Sequence, residues 1–213
     1  MKRTTTMLLV LLYLVFCAGL TVAAQEIQWK PLNDEALSLY HKGLYDRAVV
    51  VATNALQIAE QETGSNHLYY VADSLNNLAL VYKAQGQYAA AEPLYKRALA
   101  IDEKAVGPDH PAVATDLNNL AVLYYSQGQY AAAEPLLRRA LAIRDKVLGP
   151  DHPDVAANVN NLAALYKAQG QYAAAEPLYK RALAIREKAL GQDHPYVAQS
   201  LNNLAALYYY EGQ

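Results

Sequence analysis

Three Asp-His-Pro tripeptides stand 42 residues apart, with His110, His152 and His194 at their centres. Histidine beside carboxylate invites a metal reading, because imidazole and carboxylate are common ligands of divalent metals. A metal site needs several donors converging on one point, and this spacing supplies one histidine per unit. Pro111, Pro153 and Pro195 follow the histidines directly. A proline favours extended backbone at the residue before it and is itself suited to the first turn of a helix. The histidines are therefore expected to turn the chain and cap helices, with no metal. His41 and His67 are isolated, and no nucleophile elbow, HExxH pair or phosphate loop occurs. The sequence offers no catalytic residue and implies no cofactor.

The second recurrent chemistry is that of the amide. LNNLA, once VNNLA, occupies residues 75–79, 117–121, 159–163 and 201–205. It sets Asn76 and Asn77, Asn118 and Asn119, Asn160 and Asn161, and Asn202 and Asn203 within helical segments. Each asparagine costs about 0.6 kcal/mol of helix propensity relative to alanine. Together they cost on the order of 5 kcal/mol, comparable to the net stability of a small domain. A side-chain amide donates and accepts, so a row of amides could match the main chain of an extended peptide without reading its sequence. Alternatively, one amide of each pair bonds a neighbouring helix or the inter-repeat loop, for about 1 kcal/mol per bond. A division of labour within each pair is expected, and the sequence does not say which member does which.

The elements that carry these groups follow from the repeat. Residues 107–148 and 149–190 differ at 11 of 42 positions, so the unit is duplicated. An earlier copy runs up to Val106, a fourth begins at Gly191, and residues 32–64 read as a worn copy. In that worn copy Gly43-Leu44-Tyr45 stands one residue out of register with the later Gly-Gln-Tyr. A long period rich in helix formers means stacked helical units. Leu117, Leu120, Ala121 and Tyr124 share one face of a helix A that starts near Pro111 and stops at Gly128. Helix B follows, with one stripe through Tyr130, Ala133, Leu137, Ala140, Leu141 and Arg144. A second stripe runs through Leu136, Ala140, Ile143 and Val147. Pro135 lies early in this helix, where it distorts the first turns. Glu92–Lys96, Glu134–Arg138 and Glu176–Lys180 are i, i+4 pairs on a solvated face. The expected class is all-α, a right-handed solenoid of antiparallel helix pairs.

The first 24 residues stand apart. Lys2 and Arg3 precede an apolar run over residues 7–20, and Val22-Ala23-Ala24 ends it with small residues. This is the pattern of a secretory signal peptide cleaved before Gln25; an uncleaved membrane anchor is the alternative. A lipoprotein reading at Cys17 is weakened by bulky Phe16 before it. Cleavage removes the single cysteine and both of those basic residues, leaving a net charge of 16 − 20 = −4. Mild acidity argues against nucleic acid or an anionic membrane as partner. Residues 25–64 are expected to form a degenerate helix pair. Residues 65–213 are expected to form the array, three full repeats and a final unpaired helix.

Leu117, Leu120, Ala121, Tyr124, Gly128, Tyr130, Ala133, Leu137, Ala140 and Leu141 carry a family resemblance. Their spacing resembles the tetratricopeptide repeat (TPR) signature. The 42-residue unit, with DHPxVAxxxNNLAxLY and GQYAAAEPL, is similar to the kinesin-light-chain type. The resemblance implies a binding scaffold in which helix A faces a concave groove and helix B the convex side. Similar arrays use helix-A asparagines against a bound main chain.

On that view Thr115, Asn119, Val122 and Ser126 face the groove, with Asn118 and Tyr125 on its flank. Positions 115, 116, 122, 125 and 126 are among the 11 that differ between the two units, as expected of a face that meets a partner, though drift at tolerant exposed sites would give the same pattern. Lys83, Tyr125, Lys167 and Tyr209 stand at equivalent places and would suit a peptide with acidic and apolar or aromatic side chains. A solvated lysine and a half-buried tyrosine would look the same. The basic clamp of chaperone-binding TPRs is missing, because Asp73, Thr115, Ala157 and Gln199 occupy the corresponding places. Two functions stand: an exported, non-catalytic adaptor for a protein or extended peptide, or an oligomerising array. The second would associate, as a homodimer for instance, through the last helix, from about Pro195 to Tyr210. On that helix Leu201, Leu204, Ala205 and Tyr208 would be covered in part by the preceding repeat, and Leu207 with Tyr208-Tyr209-Tyr210 is expected to form an apolar patch.

Overall fold

Each end signal in the sequence sits at a helix boundary in the computed structural model, which describes residues 28–61 and 67–212. The expected leader, with Cys17 and the cleavage point at Gln25, lies outside the described residues, as do Gly64 and Gln213. The helices are α1 (28–41), α2 (Tyr45–Gln61), α3 (His67–Ala84), α4 (Tyr88–Val106) and α5 (Pro111–Ser126). They continue with α6 (Tyr130–Leu148), α7 (Pro153–Ala168), α8 (Tyr172–Leu190) and α9 (Pro195–Glu211). No strand occurs among the described residues. The class is all-α, and the repeating unit is a helix pair.

Local chemistry explains the boundaries. His110, His152 and His194 have extended backbone, and each Nδ1 accepts from the backbone N–H two residues on at 3.2 Å. One of the orphan donors at each helix start is thereby satisfied. Gly128, at φ 71°, follows α5 in the left-handed region that a side chain disfavours. Pro93, Pro135 and Pro177 lie inside α4, α6 and α8, which run on past them.

The chain forms two compact units, residues up to Ile101 and residues from Asp102 onward. In the first, Trp29 stacks on Tyr70 with ring centroids 4.3 Å apart and donates to Ser74 Oγ at 2.7 Å. Ala52, Ala55, Leu56, Leu75 and Ala98 complete that core. In the second, α5 packs on α6, α7 on α8, and the A helices α5, α7 and α9 touch in succession. Ala121, Ala133, Ala140, Ala163, Ala175 and Ala182 are fully buried there. Small side chains at helix crossings let the axes approach closely. Val159 packs with Ala182 and Ile185 of its own B helix, sealing the pair.

Three expectations are corrected by burial. Asp116 is only 1% exposed, so its variation does not belong to an open face. Val147 is 48% exposed in the last turn of α6 and lies outside its packed stripe. Leu207 is wholly buried, because its side chain enters the cluster formed by α7 and α8.

Candidate functional site

The A helices of the second unit bring the asparagines together in pairs, and the pairing crosses repeats. Asn161 Nδ2 donates to Asn118 Oδ1 at 2.8 Å, and Asn203 Nδ2 donates to Asn160 Oδ1 at 2.7 Å. The second asparagine of one repeat therefore reaches back to the first asparagine of the repeat before it. The first unit contains the same rung in another form. Asn77 Nδ2 donates to Asn33 Oδ1 at 2.8 Å, and Asn33 Nδ2 donates to Asp73 Oδ2 at 2.8 Å. An amide has two donor hydrogens and two acceptor lone pairs, and each rung uses one donor and one lone pair. By count of hydrogens and lone pairs, an amide's capacity exceeds the one bond of a rung. Asn76 and Asn119 are half-buried on α3 and α5, and Asn202 is exposed on α9.

Beside the rungs lie two rows of side chains. On α5, Asn118, Val122 and Tyr125 succeed one another at i, i+4 and i+7; on α7, Asn161, Ala164 and Lys167 follow at i, i+3 and i+6. Tyr125 is half-buried, and burial, with Tyr130 beside it, raises its phenol above the usual tyrosine value. Lys167 Nζ lies 5.8 Å from the ring centroid of Tyr210, a cation–π distance. Lys83, in the first unit, is held below the usual lysine range by burial. Tyr209 is 79% exposed, and its ring meets Tyr210 edge-on. The expected site residues thus share the A helices, but they are unequal in exposure. Among the described residues, no group of three or more His, Cys, Asp or Glu side chains converges on a metal position.

Residues 30–104, 70–146, 119–188 and 154–213 each match the tetratricopeptide repeat model, which together span nearly all the described chain. The chain belongs to the tetratricopeptide repeat family. Its subtype follows from solved structures. A kinesin-light-chain-type protein of Podosopora anserina with nearly identical TPR-like repeats is 30% identical, at a TM-score of 0.71, over 87% of this chain and 88% of that one. BtubC (BKLC) from P. vanneervenii is 26% identical at a TM-score of 0.77, covering 93% of this chain and 80% of that one. PilF of Pseudomonas aeruginosa, 22% identical over 88% of this chain and 71% of that one, shares the fold at a TM-score of 0.64. The repeats are of the kinesin-light-chain type, and TPR arrays of this kind are protein-interaction scaffolds.

Two features of this TPR array escape the sequence reading. Asn33 is the counterpart of Asn76, displaced by the same one residue as Gly43 is from the later repeats. That shift was the available signal, and following it ten residues upstream finds the amide. The second feature is a link from the end of one B helix to the next A helix. Arg144 donates to Asn158 Oδ1 at 2.6 Å and to the Asp154 carbonyl at 3.1 Å, and Arg186 donates to Ser200 Oγ at 2.8 Å. One unit earlier, the equivalent Asp102 is hydrogen-bonded to Asp116. Positions 102 and 116 therefore vary together with their contacts, which accounts for the difference at 116 without a partner.

Proposed function

We propose that this chain is an exported, non-catalytic scaffold that holds an extended protein segment along its A helices. The observation that carries this reading is the rung of paired amides, whose capacity exceeds one bond, beside Tyr125 and Lys167. An extended main chain presents N–H and C=O groups that such amides can match. Tyr125 offers a ring edge and a hydroxyl, and Lys167 offers charge to a carboxylate. The kinesin-light-chain type of the repeats supports a protein-interaction role. The leader pattern over residues 1–24 supports export, and recovery outside the cytoplasm with Gln25 at the N-terminus is the expected result. Met1 intact in a membrane fraction would argue for an anchor instead.

The groove is tested by replacing Asn118, Asn119, Asn160 and Asn161 with alanine and capturing partners from the exported proteome. Losing the rungs lowers stability by about 1 kcal/mol per bond, offset in part by alanine's better helix propensity. The deciding quantity is affinity per folded molecule. If it is unchanged, the amides serve only to join helices.

A second reading rests on α9, where Leu201, Tyr209 and Tyr210 are 50%, 79% and 62% exposed. Leu117 and Val159, the equivalents of Leu201, are wholly buried. On this reading the chain self-associates through α9, and a mass that rises with concentration in the micromolar range distinguishes it from the adaptor.

A further inference from the structure

A polar, aromatic-walled cavity of about 510 Å³ opens beside the first turns of α1 and α3 in the first unit. Trp29, Tyr69 and Tyr70 form one side of it and Asn33, Asp34 and Asp73 the other, with Lys30 paired to Asp34. The repeat does not build this cavity. Ala72, Ala114, Ala156 and Ala198 stand in later units at the place of Trp29, and Pro111, Pro153 and Pro195 at the place of Tyr69. Thr115, Ala157 and Gln199 replace Asp73. Tryptophan, tyrosine and carboxylate are thus brought together in this unit alone. Trp29 and Tyr70 are stacked and buried, and Tyr69 is inclined to them by 67° and 66° at centroid distances of 6.3 and 5.7 Å. Tyr69 keeps 61% of its surface in solvent, so a ring flanks the mouth. Asn33 Nδ2 donates to Asp73 Oδ2 at 2.8 Å and anchors that carboxylate in the wall.

We infer that this cavity is a receptor for one cationic side chain, an arginine, of a protein segment held by the scaffold. This rests on the scaffold reading above and names one residue of what is held. Charge selects the sign of the occupant. Two aspartates stand against one lysine in the lining, a formal charge of −1, so an anion is repelled and a cation attracted. The Lys30–Asp34 pair, with side chains 67% and 60% exposed, lies in solvent and yields easily to a competing cation. The ring selects among cations. A guanidinium is planar, so it stacks on a tyrosine face and forks onto a carboxylate at once; an ammonium acts as a point charge.

Trp29 is the only tryptophan of the chain, so its fluorescence reports on this wall. The probe is an acetylated, amidated heptapeptide, SGSXSGS, with X arginine, lysine or citrulline, titrated into the full chain. Arginine should change the emission saturably and bind at least about tenfold tighter than citrulline, its uncharged isostere, as losing a charge-assisted contact implies. Lysine should fall between the two. Asp73→Asn keeps an oxygen that can accept from Asn33 and removes the charge, and should weaken arginine at least about fivefold. Tyr69→Ala should bring arginine down to the level of lysine, and Tyr69→Phe should not. Melting curves and helix content check that each variant is folded; if Asp73→Asn unfolds the chain, the two Tyr69 variants decide. Citrulline equal to arginine, lysine equal to or tighter than arginine, arginine binding indifferent to Asp73→Asn in a folded chain, or no saturable change at millimolar peptide would each overturn the receptor. The groove is judged separately by the alanine substitutions at Asn118, Asn119, Asn160 and Asn161. Arginine binding, with partner capture unchanged by those substitutions, keeps the receptor and ends the groove reading; the converse keeps the groove alone.

Discussion

Asparagine inside a helix sacrifices propensity, and here the compensation is a bond to the next helix. Asn161 to Asn118 and Asn203 to Asn160 tie successive A helices through side chains alone. Both members of a pair work, because the first accepts from the repeat after it and the second donates to the repeat before it. A second residue-level device is less economical. Asp102 and Asp116, 9% and 1% exposed, face each other where the later units pair arginine with asparagine or serine. Burial raises the Asp102 carboxyl above the usual range; the Asp116 hydrogen bond and nearby His110 pull it back in part. The folded chain thus binds a proton there that the unfolded chain, titrating near pH ~3.9, has released. This contribution to stability is present below the unfolded value and is lost as pH rises through the raised folded value. Asp102→Asn should remove it, so the variant gains stability relative to the natural chain as pH rises from acid to neutral. Urea melts of both across that range would show it, and a difference independent of pH would refute it.

At the scale of elements, caps and hydroxyls decide where helices start and how they dock. The Nδ1 of His152 caps α7, and the hydroxyl of Tyr166 on α7 donates to Glu134 of α6 at 3.0 Å. Tyr208 repeats the arrangement on Glu176 at 3.0 Å. The hydroxyl is a reason for the 18 tyrosines against one phenylalanine: the ring packs while its oxygen reaches the neighbouring helix. His152→Ala should cost about 0.5–2 kcal/mol, the range for losing a side-chain cap, and His152→Asn should recover most of it. Thermal or urea denaturation reads this directly. If alanine is neutral, Pro153 alone starts the helix. Ion pairs on the B helices matter less. Lys146–Asp109, with side chains 70% and 65% exposed, sits in solvent and is weakened by salt.

At the scale of the molecule, each A helix needs its B helix. Ala182 and Ile185 of α8 cover Val159, whereas Leu201 on α9 is half exposed. A copy of Tyr172–Leu190 joined after Gln213 should therefore cover Leu201, raise the melting temperature and suppress self-association. Differential scanning calorimetry and sedimentation at several concentrations would measure both. No gain in stability, with the natural chain already monomeric, would mean that α9 is adequately closed as it stands. Among the described residues no helix is long and apolar enough to cross a membrane.

The sequence by itself determined the repeat, the helix pairs and their ends. Period, glycine, proline and the Asp-His-Pro turn act within a few residues of chain, so their consequences are local. Pro111, Pro153 and Pro195 open the helices they were expected to open, and Gly128 follows the one it was expected to end. It also marked the asparagines as unusual, because their cost is a local quantity. What the asparagines bond to was decided by tertiary structure, since Asn118 and Asn161 meet only when two helices 43 residues apart lie side by side. The same holds for Asp116, whose helical position suits either an open face or a buried one. Its burial depends on where the end of the preceding B helix lands.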